Sequence, residues 1–262
     1  MSEVLTVGSF NVRVPCDKAP NDWPNRKARL LSDLERLQFD VFGVQEAVPM
    51  QIADIEAAGY RHLGHGRNPD RSGESAAILY RPERLEALSE KTIWLSETPN
   101  VYSLDYGTTL PRVATYARFR DRRTGREFVF ANVHLQHRND PECRAKQIAV
   151  LLKELSPYLD GGSLPVILTG DFNAYPTEAA YRLTADRMRD AREISQTPPA
   201  LAEGRTFQGY KPVRPETSND LPIDYIFVSG PATVLSYESV DNFNAGGLAS
   251  SDHYPQKALI RF

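Results

Sequence analysis

The chain has 262 residues, 41% of them hydrophobic and 25% charged, a balance that lets one globular core form without disulfides. A formal net charge of −3 argues against coating nucleic acid by charge alone, though it leaves room for a nuclease with a local basic patch. No apolar run approaches a membrane span, and the N-terminus lacks a basic stretch with a cleavage site. Cys16 and Cys143 lie far apart without histidines at ligand spacing, so zinc and disulfides are not expected. A cytoplasmic location fits best. With no repeat, low-complexity tract or long linker, residues 1–262 read as a single domain.

In chain order, Val4 to Val12 alternates as a strand and ends at polar Asn11. Asp22-Trp-Pro24 opens a helix with proline in the first turn, where its missing N–H costs nothing. Leu30, Leu31, Leu34 and Leu37 then recur at helical spacing and should face a sheet. Asp40 to Glu46 is a buried strand ending in Gln45 and Glu46, followed by a helix over about Pro49 to Ala58. Tyr60 to Gly66 is another strand, and the basic loop Arg67 to Gly73 after it should be flexible. Glu74 to Tyr80 and Leu85 to Trp94 are strands joined by a turn at Arg81 to Arg84. The polar loop Ser96 to Pro111, with Tyr102 and Tyr106, is long enough to suggest function, and Arg112 stands where it enters the next strand. Val113 to Arg120 and Glu127 to Leu135 form a hairpin whose second strand carries His134 at its end. Asn139-Asp-Pro141 caps a helix to about Tyr158, with Ile148, Leu151, Leu152 and Leu155 as its buried stripe.

The stretch Val166 to Pro176 follows. An apolar run ends at Gly170, after which Asp171 and Asn173 point to one side and Phe172 to the other. A carboxylate beside a carboxamide suits a metal-bound water or a phosphoryl group, while an Asx turn ending a strand explains the same residues more blandly. Thr177 to Ser195 is polar and partly helical; Thr197 to Pro222 is rich in proline, with Arg205 to Tyr210 as a short strand or lid. In the strand Ile223 to Ser229 the only charge is Asp224, and a buried carboxylate needs a partner. Ser250-Ser-Asp252-His253 leads into a final strand, Tyr254 to Phe262.

Singly, each polar residue at a strand end has an ordinary structural explanation. Together, Asn11, Glu46, His134, Asp171, Asn173, Asp224, Asp252 and His253 all flank buried strands, whose ends can gather at one edge of packed sheets. There is no nucleophile elbow and no glycine-rich phosphate loop. The implied chemistry is metal-assisted attack of water on phosphorus, with a histidine for proton work.

Six motifs in order carry a resemblance: Ser-Phe-Asn11-Val-Arg, Val-Gln45-Glu46-Ala, Asn132-Val-His134-Leu, Gly170-Asp171-Phe-Asn173-Ala, Ile-Asp224-Tyr-Ile and Ser251-Asp252-His253. The sequence resembles the endonuclease/exonuclease/phosphatase superfamily, with its DNase I-like fold, along nearly its whole length. Ile93 to Pro99 and Pro111 to Phe119 look like a bacterial branch of stand-alone metal-dependent hydrolases, itself similar to the catalytic domains of deadenylases. The resemblance implies a four-layer α/β/β/α sandwich. It also implies Mg²⁺ or Mn²⁺ on Glu46, with Asn11 and Asp252 supporting the metal, and Asp171 orienting or deprotonating the attacking water. Asn173 would contact the phosphate, and His253, paired with Asp224, would stabilise charge on phosphoryl oxygens. His134 sits where other branches place tyrosine or histidine against the phosphate. One departure is visible: Gln136 follows Leu135 where this branch is expected to carry an acid.

The substrate is less legible, because this fold hosts nucleases, phosphodiesterases and phosphatases. Arg67, Arg71, Arg112, Arg138 and Arg144, with Tyr102, Tyr106 and Tyr210 to stack bases, point to short or single-stranded nucleic acid or a nucleotide-like ester. A small phosphomonoester such as a sugar or inositol phosphate is the alternative. A non-catalytic binding module is a further one, but its signature, loss of the strand-end residues, is not seen. No membrane partner is expected, and the protein should be a monomer.

Overall fold

A computed structural model describes residues 3–162, 164–197, 204–211 and 221–262. The first half of the chain runs β1 (Val4–Asn11), α1 (Trp23–Leu37), β2 (Val41–Ala47), α2 (Pro49–Glu56), β3 (Arg61–Leu63), β4 (Ser75–Tyr80) and β5 (Leu85–Trp94). The second half runs β6 (Val113–Asp121), β7 (Glu127–His134), α3 (Pro141–Leu159), β8 (Val166–Asp171), α4 (Ala179–Ala185), β9 (Arg189–Asp190), β10 (Asp224–Val228), β11 (Thr233–Ser239) and β12 (Gln256–Arg261). Two six-stranded sheets result, in the orders β11-β12-β1-β2-β4-β3 and β5-β6-β7-β8-β10-β9. Each has one parallel pair, β1 with β2 and β7 with β8; the other pairings are antiparallel. Parallel neighbours need a crossover, and α1 and α3 provide it.

Strand residues alternate between faces, so adjacent apolar positions serve different layers. Val41 joins Leu5, Ile78, Phe119, Phe130, Ile167 and Ile226 between the sheets, whereas Phe42 packs with Leu30, Leu34, Leu37 and Ile55 of the helices. On the far side, the stripe Ile148, Leu151, Leu152 and Leu155 of α3 meets Val129, Leu168 and Phe172. This is the four-layer α/β/β/α sandwich that the resemblance implied.

One polar group crosses the inter-sheet core. Asn132 on β7 donates to the carbonyls of Val44 (2.8 Å) and Ala77 (2.9 Å) in the other sheet, and accepts from Gln45 Nε2 at 2.7 Å. Gly43 makes room for it: a Cβ there would lie 2.3 Å from both Asn132 Oδ1 and Thr169 Oγ1. Gly43→Ala should therefore destabilise the fold by about 3 kcal/mol, the upper range for overpacking. The urea midpoint would show it, and an unchanged midpoint would mean that the sheets separate without cost.

Local differences from the sequence reading have physical causes. Only Arg61 to Leu63 pair as β3. The loop after it closes through backbone hydrogen bonds, Gly66 to Arg71, Arg67 to Glu74 and Asn68 to Ser72, with Arg67 ion-paired to Glu74. β11 was not anticipated, although Val234, Tyr237 and Ser239 are buried along it. Its period is broken by a register shift between Val234 and Ser236, which hides the alternation. Of the polar stretch Thr197 to Pro222, residues 198–203 and 212–220 lie outside the described residues. Within Arg205 to Tyr210, the anticipated strand is a single bridge from Phe207 to His253.

Candidate active site

The parallel pairs point their C-terminal ends to the same edge of the sandwich, where crevices in sheet proteins commonly take ligands. β1 delivers Asn11, β2 Glu46, β7 His134 and β8 Asp171. β10 runs antiparallel to β8 and begins with Asp224, directly across from Asp171. Asp252 and His253 precede β12, which pairs antiparallel with β1.

Glu46 shows how the backbone aims a side chain. It lies at a bulge where β2 loses register with β4 between Val44 and Ala47, and its φ is +63°, unusual for a residue with a Cβ. Its carboxylate accepts from Asn11 Nδ2 (3.1 Å) and from the Val14 N–H (2.9 Å), and Arg13 lies 3.9 Å away. Burial alone would raise its pKa, but the Val14 N–H, the His253 charge, Asn11 and Arg13 together lower it. Glu46 is thus held ionised. Asp252 faces the same Arg13 guanidinium at 3.7 Å, with burial pushing its own pKa upward.

Asp171 is the hub. Its Oδ1 accepts from the Asn173 N–H at 2.9 Å, an Asx turn, while Asn173 itself adopts φ +48°. Its Oδ2 accepts from Asn11 Nδ2 at 3.0 Å and has His134 Nε2 at 3.7 Å and His253 Nε2 at 3.8 Å. Phe172 turns the opposite way into the α3-side core. Burial, then repulsion from Asp224, raises the Asp171 pKa to about 7, opposed by His253, the Asn173 N–H and Asn11. Asn173 Nδ2 also donates to the Leu135 carbonyl at 3.2 Å, which among the described residues leaves its second amide hydrogen available.

His253 Nδ1 donates to Asp224 Oδ2 at 2.9 Å, both groups buried. Burial would lower the imidazole pKa, but the charge and hydrogen bond of Asp224, then Asp171 and Asp252, raise it to about 10. Among the described residues, Asp171, Asp224 and His253 form a group whose potential ligand atoms all lie within 4.8 Å of one another. The ring N–H already occupies the space between His253 and Asp224, so this trio is better satisfied by a proton than by an ion. Glu46 and Asp252 form a different environment: two carboxylates turned on one cation, Arg13.

His134 behaves oppositely to His253. Burial and the adjacent Arg112 charge hold its pKa well below the usual histidine range, so it is neutral. The structure also separates the arginines. Arg112 is 5% exposed and lies against His134 and His137. Arg144, 4% exposed, donates to the Arg138 carbonyl and pairs with Glu178 at 2.6 Å. Arg144 is thus spent inside the protein, whereas Arg138 is exposed.

Three residues at the site escaped the sequence reading. Arg13 adjoins Asn11 and is anchored by Asp17 at 3.1 Å, and His137 follows Gln136. Phe207 is 46% exposed yet sets its ring edge-on to His253, centroids 5.0 Å apart. Two of them had a sequence signal: Arg13 closes the Ser-Phe-Asn11-Val-Arg motif, and His137 is a second histidine three residues after His134. Gln136 is buried, and its Oε1 accepts from the His137 N–H at 3.0 Å, an outer hydrogen bond that shapes the turn.

Comparison with known proteins identifies the family and the fold. The model of the Endonuclease/Exonuclease/phosphatase family matches residues 8–253. Mouse (Mus musculus) nocturnin is 26% identical over an alignment of 285 positions that takes in 99% of this chain and 62% of nocturnin. The chain therefore spans about three fifths of that relative's length. A mannosyl-6-phosphatase of Bacteroides thetaiotaomicron superposes with a TM-score of 0.89 at 30% identity, covering 98% of this chain and 100% of that one. The human nocturnin catalytic domain superposes with a TM-score of 0.78 at 21% identity over 100% of this chain and 96% of that one, which speaks for the fold. With the strand-end residues converging at one edge of the same sandwich, the chain belongs to the endonuclease/exonuclease/phosphatase family.

Proposed function

We propose that the protein is a metal-dependent phosphoester hydrolase whose preferred substrate is a small phosphomonoester of the sugar-phosphate class. The observation that carries the substrate choice is the fate of the arginines: Arg67, Arg112 and Arg144 are engaged internally, with Glu74, two histidines and Glu178. A backbone-tracking groove for nucleic acid needs such cations free at the surface. The similarity to a bacterial mannosyl-6-phosphatase supports the same choice. The diester reading keeps support from the exposed Arg71 and Arg138 and from the exposed rings of Tyr102 and Phe207, on which a base could stack.

The oxygen donors fit a hard divalent ion. Glu46, with Asn11 and Asp252, would hold Mg²⁺ or Mn²⁺, since the two carboxylates already converge on a cation and carboxylate oxygens suit a hard ion. Bound there, the ion supplies positive charge against the phosphoryl oxygens. Asp171 takes the proton of the attacking water, and Asn173 offers its free amide hydrogen to the phosphate. Protonated His253, oriented by Asp224, stabilises the charge that builds on the oxygens.

Hydrolysis of a chromogenic phosphomonoester and its matched diester, each with Mg²⁺ or Mn²⁺, tests this. The monoester should turn over at least about tenfold faster, and Glu46→Gln should abolish the response to metal. Preference for the diester would overturn the substrate choice. Turnover of neither ester, or full activity in Glu46→Gln, would overturn the hydrolase reading.

A further inference from the structure

Arg112 enters the site at the start of β6 and reaches two rings at once. One terminal nitrogen lies 3.0 Å from His134 Nδ1, the other 2.8 Å from His137 Nδ1, and its buried Nε has no partner among the described residues. A guanidinium carries five N–H donors, no acceptor, and does not deprotonate in proteins. A donor facing Nδ1 requires a lone pair there, which places the single ring proton on Nε2.

The surroundings act in the same direction. Arg112, Arg67 and His253 all disfavour a second proton on His134, and burial adds to them. The acidic group facing His134 is Asp171, and it sits on the Nε2 side at 3.7 Å, where an N–H belongs. His137 feels Arg112, Arg138 and Arg67, with Glu46 opposing. The two histidines that flank Asp171 Oδ2 are therefore unlike. His253 has a carboxylate behind it and His134 has a cation behind it.

We propose that Arg112 is a positioning residue that locks His134 and His137 in the neutral Nε2–H tautomer, so that the end of β7 offers fixed N–H donors rather than proton-transfer groups. Applying those donors to a phosphoryl group rests on the phosphoester reading above; the tautomer assignment does not. The division of labour follows from it. Asp171 and His253 exchange or hold protons, while His134 keeps its own throughout the working pH range.

The test uses the full-length, metal-free protein labelled with ¹⁵N. The ring nitrogens of its five histidines are assigned with His134→Gln and His137→Gln. In the wild type, His134 should show an unprotonated Nδ1 and a protonated Nε2 from about pH 5.5 to 8, across the range where an ordinary histidine titrates. Arg112→Gln should give mixed tautomers and a protonation step inside that window. Its kcat should fall about 100-fold, the low end of the range for loss of an oriented donor, with a smaller change in KM. Arg112→Lys, which keeps the charge but lacks the fork, should restore the pattern of one ring at most. A proton on Nδ1 of His134 in the wild type would overturn the proposal, and this result needs no variant to fold. So would an Arg112→Gln protein with an unchanged ring pattern. Failure of the hydrolase reading would appear separately, as absence of turnover with the Nε2–H pattern intact.

Discussion

Replacing Asp171 by asparagine is expected to lower kcat about 10³-fold, within the range for removal of a general base, while the protein still folds. Asn keeps an oxygen to accept the Asn173 N–H, so the turn that shapes the loop survives. What it loses is the ability to take a proton, at the one position where Asn11, His134 and His253 all approach the same oxygen. Steady-state kinetics with saturating Mg²⁺ and a melting curve would separate chemistry from folding; wild-type kcat in Asp171→Asn would remove Asp171 from the mechanism. The pH profile gives a second reading. With its pKa raised to about 7, chiefly by burial, Asp171 is protonated and inactive as a base on the acid side. Activity should therefore rise with pH through this region. A divalent ion nearby moves the limb to lower pH, because positive charge favours the carboxylate.

Asp224→Asn should be nearly as damaging, about 10²- to 10³-fold in kcat, through a different route. The carboxylate holds the His253 ring in place and keeps it charged. Without it, burial prevails and the His253 pKa falls from about 10. The alkaline limb of the wild-type profile should then move down by more than one unit, as would the His253 titration followed by NMR. An unmoved His253 titration would reject the pairing. Stability carries the same signature. The folded pKa of His253 lies above its ordinary 6.5, so the pair's stabilisation is fully present below about pH 6.5 and is lost as pH rises through about 10. In Asp224→Asn that loss should vanish from melting temperatures measured in chelator, while the wild type keeps it.

The period of the apolar residues was enough to place most of the layers. Leu30, Leu34 and Leu37 on α1, and Ile148, Leu151 and Leu155 on α3, bury against the sheets that their spacing implied. Such elements are legible because one buried face imposes a local repeat. β11 was not, since its bulge breaks that repeat, and β3 is an edge strand of three residues, too short to show a period.

For the site, the sequence by itself determined which polar residues end the strands, from Asn11 to His253. It could do so because a strand buried on both faces leaves a polar residue conspicuous. Only the tertiary structure decided what each one meets. Asp171 and Asp224 face each other because β8 and β10 pair antiparallel, and β1 comes alongside from the other sheet to bring Asn11 to Asp171. The arginines show the limit most clearly. In the sequence, Arg112 and Arg144 are indistinguishable cations; in the fold, one forks onto two histidines and the other pairs with Glu178. A charge records its type in the sequence, but its environment is set by residues far along the chain. That environment makes one histidine a cation and its neighbour a neutral donor.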